Sequence, residues 1–513
     1  LLELTWKSFV RSGAQLGVAE QTLLAAINER LATLGTAFSQ NVLADEAGYA
    51  LVLDDKDDLK GLPDFLVSSM AAAAEEHSHA GKHAVTLSRS IIEPFLTFSE
   101  RRDLREIAFR AWIARGEKPG KRDNRPIVAE MVKLRAEKAT LLGYDTFAHF
   151  KLDDTMAKTP ENVRLLLETV WEKACVRAAE ETRELSKMIV AEGQNHRVEP
   201  WDWRHYSEKV RARQYAFNEA EVKPYLQLEK IIEAAFHTAE RLFGLSFRKV
   251  EGVTAYHPDV RVFEVLDSAG GRVAVFLGDY FARPSKRSGA WMSELQGQHK
   301  LLDGDDGEGQ TPIVLNVMNF AKAPVGEPIL IDMENARTLF HEFGHALHGM
   351  LSDVTYPSIA GTSVSRDFVE LPSQLFEHWL TAPEVLQRFA VHHKTGEAMP
   401  QALLDKVHAA SKFNKGFANV EFTASALVDM EFHALDPEQA KNIDPMTFQS
   451  DVLGRLGMPD AIVMRHATPH FSHVFAGDGY SAGYYSYMWS GVLDADAFRA
   501  FEEAGSVFDE TLA

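Results

Sequence analysis

The strongest constraint on the fold of this chain is the recurrence of apolar residues every three or four positions along most of its 513 residues. QTLLAAINERLATLGTAFSQNVL (21–43), RDLREIAFRAWIARGE (102–117), NRPIVAEMVKLRAEKATLLGY (124–144) and ENVRLLLETVWEKACVRAAEETRELSKMIV (161–190) all carry it. That spacing puts an apolar stripe on each of a series of helices. TPEN at 159–162 marks a helix start, with Thr159 as N-cap and Pro160 at the first helical position. A second helical group runs from PWDWRHYSEKVRARQY (200–215) through EVKPYLQLEKIIEAAFHTAERLF (221–243). No internal repeat or low-complexity linker interrupts them.

The texture changes near residue 256. YHPDVRVFEVLD, SAGG and RVAVFLGDYF read as a β-hairpin over 256–281, and PIVLNVMNF (312–320) as a third strand. Between them RPSKRSG (283–289) and LLDGDDGEGQT (301–311) have the composition of loops. Helix resumes at about 333. The expected architecture is mainly α with one small antiparallel sheet. It divides into a helical part, 1–255, and a part with sheet and helices, 256–513, of one continuous unit. PIVLNVMNF is either an edge strand open to an extended peptide or an interior strand.

A formal net charge of -20 without any Lys/Arg run excludes a nucleic-acid or anionic-membrane footprint. No stretch of 18 uncharged apolar residues is present, so no membrane span is expected. The single cysteine, Cys175, reads as a small buried residue and cannot form an internal disulfide, which fits a reducing, cytoplasmic compartment. The chain opens on LLELTWKSFV, without an initiator Met or a leader, and is expected to be trimmed or processed.

Within the helical stretch ENARTLFHEFGHALHGM, His341 and His345 stand four apart. Positions i and i+4 share a helix face, so two neutral imidazoles there can chelate one ion. Glu342 is rotated from His341 by about 100°, within reach of a water held by the metal and not a ligand itself. Gly344 leaves room for close approach by a strand or substrate. His348 faces the same way but lies about 10 Å along the axis from His341, too far to share the ion. The H-E-x-x-H-x-x-G-x-x-H extension fails, because His348 and Leu351 occupy its last two defined positions. Glu370, 25 residues beyond His345 (370 − 345) in SRDFVELPSQLFEHW, is the better third ligand. Two histidines and one carboxylate leave an open position, the mark of a catalytic site. Glu377 is either a partner for a ligand histidine or a surface charge.

HEFGHALHGM followed by GTSVSRDFVELPSQLFEHW resembles the thimet-oligopeptidase family of zinc metallopeptidases, and within it the bacterial peptidyl-dipeptidase branch. LDDTMAKTPENV, EPWDWRHYSEKVR, VKPYLQLE, YHPDVRVFEVLD and FNKGF extend the likeness over most of the chain. The resemblance implies a two-lobed helical fold with a deep central channel, one Zn2+ per chain on its floor and the small sheet beside the zinc helix. It also implies that the chain is trimmed at both ends.

HFSHVFAGDGYSAGYYSYMWS (470–490) reads on its own as a tyrosine-rich helix start. The resemblance gives it other roles: His473, Tyr480 and Tyr487 as donors to the oxyanion and Tyr484 as a substrate contact. The interval from His473 to Tyr480 is longer than the family pattern, around Asp478. The implied activity is release of C-terminal dipeptides from short peptides, by a monomer in the cytoplasm. Zinc would be held by His341, His345 and Glu370, with Glu342 as general base. Arg465, Arg366 and Lys415 are candidates for the substrate's terminal carboxylate. An endo-acting oligopeptidase of the same family is the nearest alternative. A peptide-binding protein with a relic site is a further one, against which the intact Glu342 argues.

Overall fold

The computed structural model describes residues 1–215, 219–283, 286–287, 289–301, 309–323, 326–410, 412–509 and 511–512. Residues 302–308 of the glycine-rich loop, and 284, 285 and 288 of RPSKRSG, therefore lie outside the described residues. The chain forms two compact units, Leu1–Val210 with Asn414–Tyr485 and Arg211–Phe413 with Ser486–Ala513. They differ from the division at 255/256, because a change of texture cuts a chain once whereas each unit here gathers two separate segments.

The first unit is built on long helices, among them Val18–Ala47, Arg125–Leu141, Pro160–Ala191 and Lys415–His433, with a small antiparallel pair of β1 (Leu51–Leu53) and β2 (His83–Val85). Thr159 caps Pro160–Ala191, its hydroxyl accepting from the Asn162 amide at 3.3 Å. Lys415–His433 packs against that helix at Gly416, where a Cβ would meet the Ala178 nitrogen at 2.4 Å. The Glu181 carboxylate accepts from the Gly416 and Phe417 amides there, at 3.0 and 2.8 Å, satisfying the start of Lys415–His433.

In the second unit EVKPYLQLEK is not one helix. Pro224 lies in a 3-10 turn, Lys223–Tyr225, Gln227 is extended, and the helix runs Leu228–Phe243. The sheet has five strands: β3 (Ser246–Lys249), β4 (Arg261–Leu266), β5 (Arg272–Phe281), β6 (Trp291–Gln296) and β7 (Ile313–Phe320), in spatial order β3-β4-β5-β7-β6. The β4–β5 hairpin is antiparallel as expected, but β7 pairs parallel to β5, so the sheet is mixed. The connection 282–312 supplies the crossover that parallel pairing needs, and carries β6, which returns antiparallel to β7. PIVLNVMNF is consequently interior, flanked by β5 and β6 and buried at most positions, and among the described residues β6 and β3 are the two edges of the sheet.

One face of this sheet packs on helices. Phe276, Val314 and Met318 join Leu339, Phe340, Phe343 and Leu347 of the helix Met333–Met350 in one core. Phe276 and Phe343 meet edge to face, with ring centroids 5.4 Å apart. Among the described residues no helix is long and apolar enough to cross a membrane.

Candidate metal centre and active site

The helix Met333–Met350 starts on Asp332, whose carboxylate accepts from the Asn335 amide at 2.7 Å. Its apolar stripe is fixed on the sheet, which leaves His341 and His345 half-buried on another face. Leu371–Leu380 packs across it at Gly344, where a Cβ would lie 2.7 Å from the Pro372 carbonyl oxygen and from Ser373 Cα. The room left by Gly344 is thus taken by a helix rather than by a strand or substrate.

That close approach brings in Glu370, the residue at the N-terminal boundary of Leu371–Leu380, which is 1% exposed. Its Oε2 lies 3.1 Å from His345 Nε2 and 3.3 Å from His341 Nε2. Ligand atoms of His341, His345 and Glu370 all fall within 4.8 Å of one another. Two imidazole nitrogens and a carboxylate oxygen suit a zinc-type divalent ion. His348 stands apart from this group, and burial lowers its imidazole to about 4.

Glu377, on the same helix, accepts from the far side of the site: its Oε1 lies 2.8 Å from His341 Nδ1, while Arg337 Nη1 is 3.6 Å from Oε2. Burial opposes charge on both members of the inner pair, yet their mutual bonds outweigh it. Hydrogen bonds with Glu370 and Glu377 hold His341 well above the ordinary imidazole range, and those from His341 and His345 hold Glu370 well below the carboxylate range. Glu342 behaves differently. Burial lifts its carboxyl above the usual range against the pull of His341 and His345, and its Oε2 is buried with no hydrogen-bond partner among the described residues. A carboxyl so raised is suited to accept and return a proton.

The tyrosine segment is shared by the units. Tyr487, in the second, is the second residue of the helix Ser486–Ala504, and its carbonyl accepts from Gln374 Nε2 at 2.9 Å, one turn from Glu370 and Glu377. His473, Tyr480 and Tyr484 belong to the first, where His473 lies 5.9 Å from the Tyr480 ring and 5.3 Å from that of Tyr484, between centroids. Tyr484 is 3% exposed and stacked on Phe422, so direct substrate contact would require its ring to be uncovered. Burial pushes its phenol up to about 12. Arg465, Arg366 and Lys415 are all exposed, and burial does not single one out. The sequence reading missed Asp429, whose carboxylate accepts the amides of Ala482, Gly483 and Tyr484. Its signal was DMEFH, an acidic residue and a histidine four apart inside an apolar run.

A paired-histidine helix crossed by a glutamate-bearing helix, beside a small sheet, defines a metallopeptidase type of site. A sequence profile of Peptidase family M3 matches residues 95–511, and the chain belongs to that family of metallopeptidases. It is 38% identical over 512 residues to the dipeptidyl carboxypeptidase of Escherichia coli K12, covering 99% of this chain and 74% of that protein. Oligopeptidase A of the same organism is 35% identical over 512 residues, covering 98% of this chain and 74% of that protein. An X-ray structure of a proposed oligoendopeptidase F matches the fold with a TM-score of 0.55 at 13% identity, over 98% of this chain and 71% of that one.

Proposed function

We propose that this M3 peptidase is a zinc-dependent peptidyl-dipeptidase, releasing dipeptides from the C-termini of short peptides. The observation that carries it is the convergence of His341, His345 and Glu370, with the buried Glu342, whose Oε2 has no hydrogen-bond partner among the described residues, between the two histidines in sequence. His341, His345 and Glu370 would hold the zinc, which when bound polarises a water and the scissile carbonyl. Glu342 takes the proton from the attacking water and returns it to the leaving amine. Glu377 fixes the tautomer and aim of His341. Tyr480 and Tyr487 offer phenol hydroxyls to the oxygen that gains charge, with His473 beside Tyr480 as a further donor. The β6 edge of the sheet, in place of the interior β7, is where an extended peptide would pair.

Dipeptide release is favoured over internal cleavage by the higher identity to the dipeptidyl carboxypeptidase than to oligopeptidase A. A matched peptide pair, one with a free and one with an amidated C-terminus, tests it by mass spectrometry of products. Stepwise loss of two residues from the free peptide alone, abolished by a zinc chelator, is expected. Efficient internal cleavage of the amidated peptide would make the chain an endo-acting oligopeptidase.

A further inference from the structure

Arg135, Asp429 and His433 form a buried polar chain inside the first unit, each 1% exposed. Around them the helix Lys415–His433 buries Ala426, Leu427, Val428, Met430 and Phe432. A guanidinium and a carboxylate in such surroundings are strongly destabilising unless thoroughly paired. Their partners therefore identify what they hold.

What they hold is the segment 474–484. Asp429 Oδ1 accepts from the Ala482 amide at 2.9 Å, and Oδ2 from the Gly483 and Tyr484 amides at 3.0 Å each. Three successive amides turned onto one carboxylate form an anion-binding nest. Within it Ala482 takes a φ of +51°, a left-handed conformation that an alanine adopts only under constraint. At the other end Arg135 Nη2 donates to the carbonyls of Val474 and Gly477, at 2.7 and 2.9 Å. His433 joins the anchors, its Nε2 3.0 Å from Arg135 Nη1 and its Nδ1 2.8 Å from the Asp429 carbonyl oxygen and 2.9 Å from Asp429 Oδ1. A guanidinium only donates, so Nε2 accepts and the ring carries its proton on Nδ1, facing Asp429. Tyr480 lies between the anchors, preceded by Gly477 and Gly479.

Resting on the donor role proposed for Tyr480, we infer that Asp429, braced by His433 and Arg135, is a positioning residue of the peptidase: it sets the path of 474–484 and with it the aim of the Tyr480 hydroxyl. The carboxylate does not touch the substrate. It acts through the three amides.

Asp429→Asn tests this at nearly constant volume, because one accepting oxygen becomes an NH2 that opposes the amides. Hydrogen exchange at Ala482, Gly483 and Tyr484 is expected to accelerate by about tenfold or more. kcat should fall by about tenfold or more, with KM changed less than about threefold and bound metal unchanged. Adding Ala482→Gly relieves the left-handed constraint and should recover part of kcat, with melting temperatures compared in parallel so that a change in global stability is read separately. Should Asp429→Asn fail to fold, His433→Gln keeps the amide bonds and should act in the same direction to a smaller extent. Unaltered exchange and kcat in the folded variant would overturn the inference, as would a kcat loss that tracks loss of metal. Tyr480→Phe separates the two claims. If it is silent while Asp429→Asn frees the amides and lowers kcat, the anchoring stands and the donor role fails. If it lowers kcat while Asp429→Asn is silent, the donor role stands and the anchoring fails.

Discussion

His341 is bonded on both ring nitrogens to glutamates from one short stretch of chain: Nδ1 lies 2.8 Å from Glu377 Oε1 and Nε2 3.3 Å from Glu370 Oε2. The outer carboxylate accepts the Nδ1 proton, which leaves Nε2 as the nitrogen that would serve as ligand beside His345 and Glu370. Arg337 extends the chain outward, 3.6 Å from Glu377 Oε2. The ring is thus aimed by residues that need not touch the ion themselves.

Removing the outer partner should loosen the metal without abolishing it. Glu377→Ala is expected to weaken zinc binding by about 10- to 100-fold, measured by competition with a chromogenic chelator. Glu334→Ala, on the same helix as His341 with its side chain 81% exposed, should leave affinity unchanged.

Glu342 should matter for chemistry and not for metal. Glu342→Gln keeps the size of a side chain only 6% exposed while deleting the base. A fall in kcat of about 10²- to 10⁴-fold at unchanged metal content is expected. Near-normal turnover would remove it from the role of base.

Gly344 is a point of close approach between the two site helices. A methyl group there meets backbone at 2.7 Å, which side-chain rotation cannot relieve. Gly344→Ala should lower stability by about 1–3 kcal/mol and weaken metal binding, because Glu370 moves with its helix. Gly454→Ala is the control: it lies in the helix Pro445–Leu456 with open space at its Cβ, and should stabilise by about 0.5–1 kcal/mol. Thermal melts with parallel metal analysis compare the two.

His205 predicts a pH dependence of stability in the first unit. Burial, helped by Arg105 and Lys209, lowers its imidazole to about 3, and Nδ1 stands 3.1 Å from the Thr97 carbonyl oxygen. The unfolded chain takes up a proton at about 6.5 while the folded one does not. The contribution is therefore complete above about pH 6.5 and declines by up to about 1.4 kcal/mol per unit as pH falls toward 3. Urea midpoints at pH 7 and pH 5 should show the decline, and His205→Gln should flatten it. Equal pH slopes in the two proteins would contradict the assignment.

The helices were legible because their stripes are long, and the i, i+4 histidine pair because a helix alone brings it together. The start of Pro160–Ala191 was legible in TPEN. β3 and β6 were not: they are 4 and 6 residues long, and their sequences, SFRK and WMSELQ, lack a clear alternating pattern. The parallel pairing of β7 depends on where the connection 282–312 runs, which no local pattern encodes. Glu377 was visible as one of two alternatives, and the hydrogen bond to His341 decides between them. For Asp429 only the DMEFH spacing was visible, because its partners are backbone amides 53 to 55 residues away, which carry no side-chain signature.

Elemental analysis of Glu370→Ala, purified and dialysed beside the unaltered protein and Glu342→Gln, bears most directly on the proposed centre. About one zinc per chain is expected in the unaltered protein and in Glu342→Gln, as for a site with three protein ligands and an open position. Glu370→Ala should hold little zinc and remain folded by circular dichroism. Full zinc occupancy in folded Glu370→Ala would contradict the assignment of His341, His345 and Glu370 as the ligand set.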